Sequence, residues 1–226
     1  MKILQTLLLF MMTFCGTANN NFDFVELRNQ IAEINVSLYS HAVPSQEHLV
    51  GLKTALEQLT QLNEDYYPNE LCGIKNLVKR INTLNSTYTD FLSFANSSPG
   101  ADTLTKVFRG INNEFNSIFG KYFHNETLSS NKKKIIIVST SLSCEYTLEM
   151  CYKQEMEIQR LLKQNPGMVE YAVIDGYYEY ELADKYQAGF MPTIIILNSK
   201  NDELKRYVRE ETVLTKLKEN IFENEK

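Results

Sequence analysis

The chain has 226 residues, 43% hydrophobic and 23% charged, with a formal net charge of -5, four cysteines, three histidines and no tryptophan. That composition can build one large packed domain or two modest ones, and it excludes collagen-like, disordered and dense disulfide-scaffold classes. The acidic balance supplies no phosphate-neutralising face, which argues against nucleic acid or an anionic membrane as partner.

Met1-Lys2 and the apolar run from Ile3 to Phe14, broken only by Gln5 and Thr6, read as the charged start and hydrophobic core of a secretory signal. A spanning helix needs roughly 20 apolar residues, and this run stops short. The small residues of Gly16-Thr17-Ala18 place cleavage after Ala18, giving a signal peptide over residues 1–18. The rival reading makes Cys15 a bacterial lipoprotein anchor, against which stands the bulky Phe14 before it. No later segment is apolar enough to cross a bilayer, so the expected location is secreted or in the secretory lumen (the periplasm, if bacterial). Removing the signal leaves Cys72, Cys144 and Cys151, an odd number that implies a free thiol or an intermolecular bond in an oxidising compartment. Sequons make Asn35, Asn85, Asn96 and Asn125 candidate glycosylation sites, the third weakened by Pro99.

From Phe22 to about Tyr122 apolar residues recur at near-heptad spacing. Phe24, Leu27, Ile31, Ile34 and Leu38 form one stripe; Leu49, Leu52, Leu56 and Leu59 a second; Ile74, Leu77, Ile81, Leu84, Tyr88, Phe91 and Ala95 a third; Leu104, Phe108, Ile111, Phe115, Ile118 and Tyr122 a fourth. Pro44, Pro68 and Ser97-Ser98-Pro99-Gly100 mark the breaks. The expectation is an all-α domain over residues 19–128, a four-helix bundle or pair of hairpins, whose stripes close within one chain or between two as a homodimer. His41, His48 and His124 are scattered without acidic or cysteine neighbours at ligand spacing, so neither a metal nor any other cofactor is expected.

After Asn131 the period changes. Lys132-Lys133-Lys134 reads as a solvated lead into Ile135-Ile136-Ile137-Val138, a β-branched run suited to a strand covered on both faces. A helix follows from Cys144 or Thr147 to Lys163, closed by Asn165-Pro166-Gly167. Then come a strand from Val169 to Ile174, a helix around Tyr180 to Tyr186, strands Thr193–Leu197 and Glu203–Arg209, and a closing helix from Glu211 to Phe222. The order predicts an α/β domain over residues 129–226, a central mixed sheet flanked by helices with a crossover joining parallel strands.

This half resembles the thioredoxin superfamily through IIIVSTSLSC at 135–144, YAVIDG at 171–176 and ADKYQAGFMPTIIIL at 183–197. The resemblance implies that Cys144 is a nucleophile delivered by a strand to a helix start. It further implies an acidic residue, Asp175, ending the second strand, and a cis Met191–Pro192 bond presenting client backbone to the thiol. The family's first strand and helix are not evident, and residues 104–122 can stand in for that helix. Redox members carry C-x-x-C; here Cys144-Glu145-Tyr146-Thr147 puts a hydroxyl at the resolving position. Val138 stands where those members have a buried acid, and Ser143 where they have tryptophan.

A thiol at a helix N-terminus is favoured as thiolate, and Thr147 can hydrogen-bond it but cannot resolve a mixed disulfide. Cys151 can resolve only if residues 145–150 form a loop, because seven helical residues rise about 10.5 Å against a Cα limit near 7 Å. Cys72 is a third possibility, as a staple between the halves. Candidate catalytic residues are therefore Cys144, Thr147 and Cys151, with Met191 and Pro192 binding substrate. The leading expectation is a secretory thioredoxin-like protein that contacts client proteins or peptides by thiol-disulfide exchange. The rivals are a redox-inactive binding module and a Cys144–Cys151 dithiol oxidoreductase.

Overall fold

The computed structural model describes residues 24–40, 71–86, 98–211 and 213–222, with residues 45, 47, 50–54 and 57 between the first two stretches. Cys15, the expected signal peptide and the Asn96 sequon lie outside them.

Three helices come first: α1 (Phe24–Tyr39), α2 (Leu71–Ser86) and α3 (Ser98–Ser129). Pro99 belongs to the first turn of α3 and not to the preceding break, as suits a residue with no N–H to leave unbonded. The α/β part follows in the order β1 (Lys133–Ser139), α4 (Glu145–Gln164), β2 (Val169–Asp175), α5 (Tyr180–Lys185), β3 (Thr193–Leu197), β4 (Glu203–Val208) and α6 (Val213–Phe222). The sheet order is β2-β1-β3-β4, with β1 parallel to β2 and the other pairings antiparallel. Helix α4 is the crossover that a parallel pair requires.

Strand alternation assigns the two faces of the sheet. Ile136, Val138, Ala172, Ile174, Ile195 and Leu197 pack with α3 and with Ala183 of α5. Ile135, Ile137, Val173, Ile194, Ile196 and Tyr207 pack with Ile158 and Leu161 of α4 and with Val213, Leu217 and Ile221 of α6. Being covered on both faces is what the unbroken Ile135–Val138 run demands, and all four residues are fully buried. Lys134 corrects the reading of the lysine run as solvated. Its side chain is buried and its ammonium donates to the carbonyls of Lys132, Asn198 and Ser199, tying β1 to the β3–β4 turn. Burial pushes its pKa down.

The sequence boundary at 128/129 marks where helix gives way to strand, but packing runs across it. Leu27, Ile31 and Ile34 of α1, Leu52, and Ile74, Leu77 and Ile81 of α2 share one continuous cluster with the sheet residues facing α3. Helix α3 is the layer between them and extends well past Tyr122. Its Gly120 is required by this approach, since a Cβ there would lie 2.9 Å from the Val173 carbonyl. The described residues of the stripes thus pack against one another and against the sheet within this chain.

Helix α1 packs against both α3 and α4 and reaches the outer edge of β2 through Arg28, where no strand pairs among the described residues. Arg28 Nη1 and Thr127 Oγ1 both donate to the Tyr171 carbonyl, at 2.8 and 3.0 Å. The guanidinium lies over the rings of Phe123 and Tyr171. A sheet edge left open invites pairing with another chain, and here side chains of α1 and α3 take the Tyr171 carbonyl of that edge. Among the described residues no helix is long and apolar enough to cross a membrane.

Candidate functional site

Cys144 is the residue before α4, with extended backbone (φ -65°, ψ 153°), so its side chain leaves from the helix N-terminus into solvent. Its Sγ lies 3.3 Å from Thr147 Oγ1. The Thr147 hydroxyl, first, then the Thr147 amide, the Ser143 hydroxyl and the charge of Arg209 hold the thiol below its usual pKa. Thr147, the fourth residue of C-E-Y-T, is buried and therefore positioned.

Cys151 has the opposite environment. It is 1% exposed, and burial, with the charges of Glu155 and Asp175, raises its pKa against hydrogen bonds from Ser139 and Thr140. The loop that a Cys144–Cys151 disulfide needs is absent: residues 145–164 are one continuous helix and both thiols are free. Two turns of helix separate them, so the dithiol reading fails on geometry. With both thiols free, neither is stapled to Cys72, whose side chain lies outside the described residues.

Three chain segments, the ends of β1 and β2 and the proline loop, are tied together beside α5. Gly176 N–H donates to the Ser139 carbonyl at 2.9 Å, joining the ends of β2 and β1. Asp175 Oδ1 accepts from the amides of Ser141 and Tyr177, each at 3.1 Å, while its Oδ2 is buried without a partner. The Met191–Pro192 bond is cis. The Met191 methyl lies directly over Gly176, where any Cβ would collide with it. Thr193 Oγ1 donates to the Phe190 carbonyl and Arg209 N–H to the Pro192 carbonyl, fixing both flanks of the proline. Leu142 after β1, Tyr146 in the first turn of α4 and Phe190 before the proline stand exposed.

Two features escaped the sequence. Arg209 follows β4 with φ 50°, a left-handed conformation uncommon for a residue with a Cβ, and its guanidinium lies 5.9 Å from the Tyr146 ring centroid. Nothing in the run Tyr-Val-Arg-Glu announces this. The second is a buried polar cluster deeper along α4. Glu155 accepts from the amide groups of Asn112, Asn116 and Gln159, and Asn35 donates to Asn112 Oδ1 at 2.9 Å. Burial lifts the Glu155 carboxyl to about 7 despite these donors. Asn112 and Asn116, one turn apart among the buried positions Phe108, Ile111 and Phe115, were the available signal.

That cluster corrects the glycosylation reading at Asn35. Its side chain is fully buried and its amide nitrogen is committed to Asn112, so a glycan there is incompatible with this packing. Asn125 is exposed on α3. Asn85 lies in α2, its side chain outside the described residues.

No family model and no curated protein matches the chain. Among solved structures, *Fasciola hepatica* thioredoxin is similar at 24% identity and TM-score 0.35, covering 45% of this chain and 86% of its own. The germline thioredoxin Deadhead of *Drosophila melanogaster* matches at 20% identity and TM-score 0.37, over 45% and 90% of the two chains. Mitochondrial thioredoxin 3 of *Saccharomyces cerevisiae*, in its oxidised form, matches at 16% and 0.35, over 45% and 86%. The C-terminal half has a thioredoxin-like fold, as its own sheet order, crossover helix, N-terminal cysteine and cis proline describe.

Proposed function

We propose that this chain is a secretory-pathway thioredoxin-like protein that captures client proteins as mixed disulfides through Cys144 alone. The observation that carries the reading is the exposed Cys144 thiol at the start of a 20-residue helix, held toward thiolate by Thr147. In the step, the Cys144 thiolate attacks one sulfur of a client disulfide. A Cys144–client disulfide forms, the client S–S bond breaks, and the departing client thiolate takes a proton from water. No net oxidation occurs. Thr147 stabilises the attacking sulfur and the Met191–Pro192 segment receives the client backbone. With Cys151 buried, release falls to the client's own second thiol or to a small thiol from solution. The apolar leader is what supports a secretory route; in the sequon at 125–127 Asn125 is exposed but Thr127 is buried.

The second reading, a redox-inactive binding module, is favoured by the hydroxyl at the resolving position. Trapping decides between them. The full chain and its Cys144→Ser and Cys151→Ser variants are expressed in a secretory host, quenched in acid and run on non-reducing gels. Adducts are expected with wild type and with Cys151→Ser and not with Cys144→Ser. Identical adduct patterns for wild type and Cys144→Ser overturn the thiol reading.

A further inference from the structure

We infer that Arg209 makes Cys144 selective for disulfides that carry negative charge beside the scissile bond. This deepens the thiol-exchange reading and rests on it. Arg209 contacts the proline loop and the start of α4. Its amide holds the Pro192 carbonyl at 2.9 Å, its guanidinium lies over the Tyr146 ring, and its charge acts on the Cys144 sulfur. Tyr146 is in the first turn after the nucleophile, and the Arg209 charge is felt at the Cys144 sulfur, so a group bound to this cation is held at the same mouth. The backbone is kept in a left-handed conformation that Arg disfavours, which places the side chain at the lip between helix start and proline loop.

Two of the carboxylates around it are held by other cations, Glu145 by Arg109 at 2.9 Å and Glu210 by Lys216 at 2.9 Å; Glu211 accepts from the Tyr146 hydroxyl at 3.3 Å and keeps its charge. Among the described residues no carboxylate pairs with Arg209, and the residue is exposed. A cation on an aromatic face at the helix start, in no ion pair among the described residues, can take a partner's carboxylate. The partner class is a disulfide flanked by Asp, Glu or another carboxylate. The covalent step is unchanged: the thiolate attacks the sulfur bearing the anionic arm, and the other sulfur leaves as thiolate.

The test uses the full chain and three symmetric small disulfides of equal length with carboxylate, hydroxyl or ammonium arms. Adduct formation at Cys144 is followed by mass, each rate taken relative to the hydroxyl compound. Wild type is expected to favour the carboxylate over the ammonium disulfide roughly tenfold at low salt, the preference shrinking as salt screens it. Arg209→Gln is expected to bring the ratio near one, and Arg209→Lys to keep part of it. Normalising to the hydroxyl compound removes any change in thiolate fraction, so a purely structural role for Arg209 leaves the ratio unmoved. A carboxylate preference that survives in Arg209→Gln, or none in wild type, overturns the inference. If wild type fails to react even with the hydroxyl disulfide, Cys144 is not a nucleophile and both readings fall.

Discussion

Helix α4 carries two thiols seven residues apart, and its two ends show what surroundings do to the same atom. At the mouth, Cys144 is exposed, meets a hydroxyl, a helix N-terminus and a guanidinium, and its pKa falls. Two turns along, Cys151 faces the interior beside Glu155 and Asp175, and its pKa rises. Residue identity gives both the same intrinsic chemistry; burial and neighbouring charge separate them. The mouth leaves its thiol open to solvent. The buried stretch, where α1, α3 and α4 meet around Glu155, holds its thiol inside a packed polar cluster.

The largest expected difference is in reactivity. With adducts mapped to the α4 peptides, so that Cys72 is read separately, Cys144→Ser abolishes native alkylation of α4 by iodoacetamide while changing unfolding free energy by less than about 0.5 kcal/mol, as for an exposed residue. Cys151→Ser leaves native alkylation intact, and wild-type Cys151 alkylates only after denaturant is added. Native labelling of both thiols would erase the contrast.

Stability against pH comes next. The Glu155 carboxyl is raised from 4.5 to about 7 in the folded chain, so the folded state holds a proton that the unfolded state has released. The sign follows: this group's contribution is fully present below pH 4.5 and is lost as pH rises through 7, a loss of up to roughly 3 kcal/mol. Glu155→Gln removes that slope in denaturant melts between pH 5 and 8, and an unchanged slope excludes Glu155 as its source. Removing one donor acts on the same cluster. Asn112→Ala leaves Asn35 and Glu155 short of a partner and costs about 2 kcal/mol, more at pH 8 than at pH 5.

The same division explains what could be read from the sequence. Period and composition reveal strands such as Ile135–Val138 and stripes such as Leu27, Ile31 and Ile34, because burial of apolar area has a spatial frequency along the chain. Cys144, Thr147 and Pro192 were legible as a pattern of residue types at fixed spacing. Partnerships across the chain were not. Asn35 reads as a sequon because the local triplet is complete; its burial against Asn112, 77 residues away, has no local trace. Arg209 is in the site through a backbone angle and a bond to Pro192 that only the folded chain creates. Lys134 looks solvated until the β3–β4 turn supplies its carbonyls.

The smallest effect probes the mouth most finely. Thr147→Val keeps the buried side chain's shape and deletes the hydroxyl 3.3 Å from Sγ. Since that hydroxyl is the leading cause of the lowered Cys144 pKa, its loss moves the pH midpoint of Cys144 alkylation upward and slows the reaction at neutral pH. The limiting rate at high pH, where the thiol is fully ionised, stays equal or rises slightly, because a more basic thiolate is the better nucleophile. A lower limiting rate with an unmoved midpoint assigns Thr147 to access rather than ionisation. The separation of midpoint from limiting rate is what ties the difference between the two cysteines to one hydroxyl, since Cys151, with Ser139 and Thr140 beside it, is hydrogen-bonded too and is nonetheless driven up by burial.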